Sequence, residues 1–222
     1  MIQLNRDLAF VKVNGWEDTT LAKGYGISAY PSVLLVGKDG KEIDRIVGYL
    51  PPVEFLNTIS LYLEGKETLA DYLKRVDANP DSVELLFNVA DKYEGRSKFV
   101  EARDYYQQVI TKDSDNQYGF TDKAIHSVGY MEYRNKNFQT AIDNEKEIIE
   151  KYPDSELLED ANIYIPYYYS RWAKYESDEG NNREAKKLTK KAINKFGDFL
   201  KNYPDSEDAE WVKEQIEKLK ES

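Results

Sequence analysis

The side chains that could do chemistry in this sequence are mainly tyrosines, because the chain holds 18 of them, no cysteine and one histidine. Without cysteine, no disulfide, thiolate nucleophile or cysteine-ligated metal site can form within these residues. A single histidine also leaves little basis for histidine-dependent catalysis or zinc binding. No glycine-rich stretch has the spacing of a phosphate-binding loop. The composition therefore favours binding over catalysis, with no enzyme activity, cofactor or metal expected.

Seven aromatic side chains fall close together in the second half of the chain. They are Tyr130, Tyr133, Tyr164, Tyr167, Tyr168, Tyr169 and Trp172. Three consecutive helical residues span about 200° of the helix surface, so tyrosines 167–169 cannot all be buried. Tyrosine combines contact area with a polar tip and suits peptide binding, although most of these rings could instead pack between helices. We expect Tyr130, Tyr133, Arg134 and Tyr167 to line a concave surface that binds a protein or peptide partner.

The charge of the chain narrows the choice of partner. Lysine and arginine number 31 against 41 aspartates and glutamates, for a net charge of −10. Nucleic acid would be repelled by that charge. No apolar stretch approaches the ~20 residues that span a bilayer. The first ten residues lack the order of a secretory signal, so a cytoplasmic location is the default, with a periplasmic one if the natural start lies upstream.

The sequence divides into two parts of different composition. Seven of the 12 glycines lie in residues 1–65, whereas 14 of the 18 tyrosines lie after residue 65. Glycine-rich sequence indicates short elements and turns, and the remainder has the periodicity of long helices. We predict a domain over residues 1–65, a connecting helix or linker over 66–80, and helical repeats with a capping helix over 81–222. The fold class expected is α+β followed by an all-α solenoid.

The first part has a predicted element order of β-α-β-β-α. Residues 8–13 (LAFVKV) are apolar and β-branched, which predicts a first strand, and residues 20–25 predict a short helix. A second strand, Ser32–Val36, is joined by an Asp-Gly turn to a third, Glu42–Val47. Adjacent prolines at 51 and 52 suit the first turn of the last helix.

Several of these segments together resemble the C-terminal half of a thioredoxin-like domain. They are residues 21–32 (LAKGYGISAYPS), the apolar strand, Lys38-Asp39-Gly40 and Val47-Gly48-Tyr49. The resemblance implies a cis peptide bond before Pro31, which is otherwise found at only ~5% of prolines. It also implies that Tyr30 and Pro31 belong to a substrate-contact surface, where they could bind an extended peptide by strand addition. A purely structural role for this loop is the alternative.

The departure from the thioredoxin pattern bears on function. Thioredoxin-like enzymes carry Cys-x-x-Cys upstream of the matching segments, and thiol–disulfide exchange requires a thiolate. The resemblance also implies a missing strand between residues 8–13 and Ser32–Val36, which would expose two strand edges. Those edges could pair in a rearranged sheet, or bind another chain, including a second copy. We favour a natural start further upstream, because residues 1–5 resemble the end of an interrupted helix.

A repeat marks the second part. Residues 152–155 (YPDS) recur at 203–206, and small residues twelve apart recur in three pairs. The pairs are Ala90 and Ala102, Gly129 and Ala141, and Ala173 and Ala185. This pattern resembles tetratricopeptide repeats, in which small residues let paired helices approach closely. It predicts three helix pairs and a terminal capping helix, with Pro166 kinking or breaking the fifth paired helix.

Together these observations predict a non-catalytic protein-binding scaffold or chaperone-like module. The order of thioredoxin-like and tetratricopeptide segments is similar to that of bacterial chaperedoxins. One alternative is the C-terminal portion of a thiol–disulfide oxidoreductase whose Cys-x-x-Cys lies upstream. Another is a periplasmic scaffold, since the Tyr-Pro-Asp-Ser repeats resemble those of envelope lipoprotein assembly factors.

Overall fold

The computed structural model of the chain describes residues 8–221 and forms two compact units, Met1–Lys112 and Asp113–Ser222. The predicted fold class is confirmed, since a small sheet with helices is followed by helices alone. The predicted domain boundaries at residues 65 and 80 stay a prediction. The first unit contains, in order, α1 (Thr19–Gly24), β1 (Ser32–Val36), β2 (Glu42–Val47), α2 (Pro52–Leu63), α3 (Leu69–Ala78), α4 (Val83–Glu94) and α5 (Phe99–Lys112).

The sheet of the first unit is a hairpin of β1 and β2, at the positions predicted. The strands are antiparallel, with Val33 opposite Ile46, and Gly40 takes a positive φ of 78° in the turn between them. Helix α2 covers one face of the hairpin. The core between them is formed by Leu35 and Ile46 of the strands and Ile59 and Tyr62 of the helix.

The predicted first strand is wrong. Residues 8–13 have no strand geometry and join neither strand of the sheet that the structure describes. An isolated extended segment gains no ladder hydrogen bonds, so its strand-forming composition is insufficient alone. The suggestion that residues 1–5 end an interrupted helix lies outside the described residues.

A buried ionic network joins the hairpin to the helices that follow it. Asp44 of β2 is 0% exposed, and its Oδ1 lies 3.0 Å from Nη2 of Arg96 and 3.2 Å from Nζ of Lys92. Its other oxygen, Oδ2, accepts a hydrogen bond of 2.6 Å from the backbone N–H of Leu69. A buried carboxylate is tolerated only when its oxygens are satisfied in this way. Asp44 thus connects β2 to the start of α3 and the end of α4.

Arg45, the next residue, makes the complementary connection with its guanidinium. It donates to the carbonyl oxygens of Tyr25 at 2.7 Å and Gly95 at 3.1 Å, and forms an ion pair with Glu42. Glu42 also pairs with Arg96 at 2.9 Å. One side chain therefore satisfies carbonyls at the end of α1 and the end of α4.

The second unit consists of helices arranged as consecutive packed neighbours. They are α6 (Thr121–Arg134), α7 (Phe138–Lys151), α8 (Leu158–Asp178), α9 (Asn182–Asn202) and α10 (Ala209–Glu221). With α4 and α5 of the first unit, they supply the predicted three pairs and final helix. Helix α8 continues unbroken through Pro166, although proline removes one hydrogen bond of the helix ladder. One core cluster of the second unit combines small, aliphatic and aromatic residues, including Ala141, Leu188 and Tyr168.

The repeated turn before α8 is held by side-chain hydrogen bonds to the start of the unit. The Tyr152 hydroxyl donates to the carbonyl oxygen of Ser114 at 2.9 Å. The Ser155 hydroxyl donates to the carboxylate of Asp122 at 2.6 Å. These bonds set the N-terminal ends of α6 and α8 side by side, and so bring the tyrosines of the two helices together.

Candidate functional site

One surface of the second unit is a continuous aromatic patch formed by three helices. This aromatic face consists of Tyr130 and Tyr133 on α6, Tyr164 and Tyr167 on α8, and Trp211 on α10. Ring centroids lie 6.0 Å apart for Tyr130 and Tyr133, 5.7 Å for Tyr133 and Tyr167, and 6.4 Å for Tyr167 and Trp211. Such separations are typical of favourable aromatic pairs. Each ring therefore orients its neighbour before any partner binds.

The polar atoms of the aromatic face are held in place as well. The hydroxyl oxygens of Tyr133 and Tyr167 lie 3.3 Å apart and share a hydrogen bond. Nη1 of Arg134 donates to the Tyr130 hydroxyl at 3.0 Å, and its guanidinium carbon lies 5.8 Å from that ring centre. Burial, and then the bond with Tyr133, raises the pKa of Tyr167 to about 12. Its hydroxyl is therefore neutral near pH 7 and able to donate or accept.

A buried carboxylate lies beneath one end of the aromatic face. Glu145 of α7 is fully buried, and its Oε2 lies 3.0 Å from Nδ1 of His126 on α6. The His126 ring in turn meets the edge of Tyr164 at 4.9 Å. Burial raises the pKa of Glu145, with the His126 hydrogen bond acting in the opposite direction. This contact helps to fix Tyr164 in its place.

Room for that carboxylate depends on a glycine. A Cβ atom on Gly129 would lie 3.2 Å from Cβ of Asn144 and 3.3 Å from Oε1 of Glu145. Small residues at helix crossings had been predicted from their spacing, and Gly129 is fully surrounded at the α6–α7 contact. The absence of a side chain at Gly129 thus leaves room for the Glu145 carboxylate between α6 and α7.

The Tyr30–Pro31 loop lies in the first unit. The peptide bond between the two residues is cis, as the resemblance implied. Tyr30 is half-exposed and its ring centre lies 5.5 Å from that of Trp16. The role of this loop in peptide binding stays a prediction.

Exposed apolar side chains concentrate in the same part of the first unit. Among the described residues, thirteen of the sixteen large exposed hydrophobic side chains lie between positions 10 and 63. Val11 is 82% exposed and Trp16 is 80% exposed. Large exposed apolar side chains that concentrate in one part of a protein are typical of interaction surfaces.

The structure brings together four of the six predicted site residues. Tyr130, Tyr133, Arg134 and Tyr167 form one connected group, whereas Tyr30 and Pro31 belong to the other compact unit. Of tyrosines 167–169, Tyr168 and Tyr169 are buried and Tyr167 is half-exposed, in line with the geometric argument. The role of these residues in binding is untested and stays a prediction.

Sequence reasoning missed Trp211. The sequence predicts only that the helix that carries it caps the repeats, yet Trp211 extends the aromatic face to a third helix. The signal available was a tryptophan in an otherwise charged helix. Tryptophan is enriched at binding surfaces, which could have identified it.

Within residues 8–221, no helix combines the length and the apolar character required for crossing a bilayer. No cluster of three or more histidine, aspartate or glutamate side chains in the same range has an arrangement that could hold a metal ion.

Comparisons with known proteins concern mainly the first unit. Residues 4–62 match the sequence model of a thioredoxin-like domain. Over 58 residues the chain is 39% identical to thioredoxin from Griffithsia pacifica, covering 26% of this chain and 52% of that protein. Over 61 residues it is 36% identical to thioredoxin 1 from Synechococcus elongatus, covering 28% of this chain and 56% of that protein. The chain therefore spans about half the length of the curated relatives it matches.

One solved structure has a remote similarity to this chain that extends beyond the residues matched by the thioredoxins. The crystal structure of MamA aligns with 78% of this chain and 95% of its own, at 16% identity and a TM-score of 0.41. Residues 4–62 are thus similar to thioredoxin-like domains.

Proposed function

We propose that this protein is a non-catalytic scaffold that binds protein or peptide partners through the aromatic face of its second unit. In this proposal, the thioredoxin-like segment is followed by helix pairs of the tetratricopeptide type. The observation that carries the proposal is the aromatic face itself. Five large rings on three helices are partly exposed, and their contacts with one another hold them in place.

Physical chemistry supports recognition at such a surface. Tyrosine and tryptophan supply much of the binding energy in protein interfaces because they bury large areas with few rotatable bonds. Here the rings are already ordered by their neighbours, so binding loses less conformational entropy. The absence of cysteine from the sequence means that these residues cannot carry thiol–disulfide exchange themselves.

The test is affinity capture with the full chain and matched variants. Tyr130→Ala/Tyr133→Ala removes two rings of the aromatic face, and Tyr118→Ala removes an exposed tyrosine of the same unit outside it. We expect the double variant to lose partners that wild type and Tyr118→Ala both retain, with thermal melts confirming that all three fold. If the captured partners are the same for all three proteins, the aromatic face is not the binding surface.

A chaperone-like activity is a second candidate, favoured by the exposed apolar side chains between positions 10 and 63. Unfolded clients are held through apolar contacts, and Val11, Trp16 and Tyr49 offer them. Suppression of light scattering by a heat-denatured client protein would measure this activity. We expect Val11→Lys/Trp16→Lys to reduce it, and equal suppression by that variant would contradict this candidate.

A third candidate is the C-terminal portion of a thiol–disulfide oxidoreductase. It is favoured by 36–39% identity to thioredoxins over about half of their length. Genomic sequence upstream of Met1 tests it directly. An in-frame Cys-x-x-Cys, and insulin reduction by the longer protein, would support this candidate, and an in-frame stop codon close to Met1 would exclude it.

A further inference from the structure

The charged residues around the aromatic face are ordered along its helices. His126 of α6 contacts Tyr164 of α8, and Tyr133, further along α6, contacts Tyr167, further along α8. The two helices therefore run side by side in the same direction. Helix α10 joins the row where Trp211 meets Tyr167. The aromatic face accordingly has a near end, toward the N-termini of α6 and α8, and a far end, toward their C-termini.

Two arginines mark the far end. Arg134 is the last residue of α6, is exposed and donates to the Tyr130 hydroxyl. Arg171 lies one helical turn after Tyr167 on α8 and is exposed as well. Its positive charge is close enough to oppose the rise in the pKa of Tyr167 that burial and Tyr133 cause.

Two aspartates mark the near end. Asp160 lies one turn before Tyr164 on α8, and Asp208 lies three residues before Trp211 at the start of α10. Both carboxylates are exposed. Burial first, and then Asp160, Glu145, Tyr130 and Asp208, raise the pKa of Tyr164.

The separation of the two ends sets a length for a bound segment. Asp160 and Arg171 lie eleven positions apart on one helix, which corresponds to about 16 Å at 1.5 Å per residue. An extended peptide advances about 3.3 Å per residue. About five residues of such a peptide therefore reach from the acidic end to the basic end, across the rings.

We propose that the aromatic face selects an extended peptide segment with a basic and an acidic residue about five positions apart and an apolar or aromatic residue between them. This inference rests on the proposed function of the same face. The acidic residue pairs with Arg134 and Arg171, since guanidinium groups bind carboxylates strongly. The basic residue lies near Asp160 and Asp208, and the central residue packs on the rings.

Charge complementarity excludes the simpler alternatives. The chain has a net charge of −10, so a wholly acidic segment is repelled at long range. A wholly basic segment places like charge against two arginines, which costs binding free energy. A segment of mixed charge meets neither penalty.

Three fluorescein-labelled peptides test the inference by fluorescence anisotropy with the full chain. Their central sequences are Lys-Gly-Pro-Phe-Gly-Glu, Lys-Gly-Pro-Phe-Gly-Lys and Glu-Gly-Pro-Phe-Gly-Glu, flanked by serines. We expect the mixed peptide to bind about fivefold more tightly than either of the others, as one or two exposed charge pairs allow. Equal affinities, or no binding by any of the three, would overturn the inference.

Charge reversal in the protein provides the second arm. Arg134→Glu/Arg171→Glu should shift the preference to the doubly lysine peptide, and Arg134→Gln/Arg171→Gln should remove the preference for glutamate without creating a new one. Arg183→Glu, an exposed arginine on α9, should leave the ranking unchanged. If wild type binds all three peptides equally and Tyr130→Ala binds none of them, the charge selection is overturned but binding at the aromatic face is not. The proposed function itself is decided by the affinity-capture experiment.

Discussion

Oδ1 of Asp44 lies 3.0 Å from Nη2 of Arg96, although 52 positions separate the two residues in the chain. The contact joins the β-hairpin of the thioredoxin-like segment to the end of helix α4. Asp44 is fully buried, the Arg96 side chain is 11% exposed, and Lys92 approaches the same oxygen. Removal of the Asp44 charge takes away the carboxylate that pairs with Lys92 and one of the two carboxylates that pair with Arg96, the other being Glu42.

Asp44→Asn should therefore destabilise the first unit strongly. We expect a loss of about 3 kcal/mol or more in the free energy of unfolding, because breaking a buried pair leaves unpaired charge behind. Urea denaturation followed by circular dichroism measures it. The control is Asp39→Asn in the exposed turn of the same hairpin, where we expect a change within about 0.5 kcal/mol. Similar unfolding midpoints for the two variants would refute the role of Asp44.

The same network shows which parts of the fold could be predicted from sequence. β1 and β2 were predictable to the residue because an apolar run and an Asp-Gly turn are local signals. The strand predicted at residues 8–13 failed because a strand also requires a partner, which composition does not reveal. The bonds of Asp44 to Lys92 and Arg96 join distant residues, and no local pattern indicates them.

For the candidate site, helical spacing was sufficient to group Tyr130 and Tyr133, because residues of one helix keep fixed relative positions. Tyr167 lies on another helix, and its place beside them was predicted from the resemblance to repeats of paired helices. Helical spacing was not sufficient for Trp211, whose contact with Tyr167 depends on how α10 packs. The burial of Glu145 beside His126 was equally invisible, since charged residues on helices usually face solvent.

The pH dependence of stability should reveal the buried Glu145. Burial raises its pKa, so the folded protein holds this proton more tightly than the unfolded chain does. Wild-type stability should then fall as pH rises from about 4.5, the ordinary value for glutamate, through the raised pKa. Glu145→Gln lacks this loss, so its stability relative to wild type should increase over that window.

Urea denaturation at pH 4 and pH 7.5 measures the effect. The groups facing Glu145 are His126 on α6 and Asp160, Tyr164 and Tyr168 on α8, and all are retained in the variant. The exposed Glu150→Gln on the same helix serves as the control, with no change in relative stability between the two pH values. A constant difference between Glu145→Gln and wild type would contradict the prediction.

Two glycine-to-alanine variants should have opposite effects on the second unit. Gly197 lies inside α9 with open space around its Cβ position, so Gly197→Ala should stabilise by up to about 1 kcal/mol through helix propensity. Gly129→Ala should destabilise, because the new methyl group meets Cβ of Asn144, which moves only with α7. Thermal melts distinguish them, and stabilisation by both would show that α6 and α7 can separate easily.

Self-association should depend on the free edge of the hairpin. β1 pairs only with β2 in the described chain, and Val36 at its end is exposed. Lysine on a strand edge prevents edge-to-edge pairing. We expect Val36→Lys to reduce concentration-dependent association in sedimentation velocity, and Val100→Lys on the exposed surface of α5 to leave it unchanged. A monomeric wild type at all concentrations would exclude pairing through this edge.

The hydrogen bonds of Arg45 have a consequence for how this gene could be recombined. Its guanidinium reaches carbonyls on both sides of Gly65, at Tyr25 and at Gly95. A crossover at Gly65 that exchanged the helices for those of another protein would leave the bond to Gly95 unmade, with Glu42 and the Tyr25 carbonyl as the remaining partners of this buried guanidinium. We therefore expect the segments before and after Gly65 to be inherited together. Exchange of the later segment requires that the new helices supply a carbonyl oxygen where that of Gly95 lies.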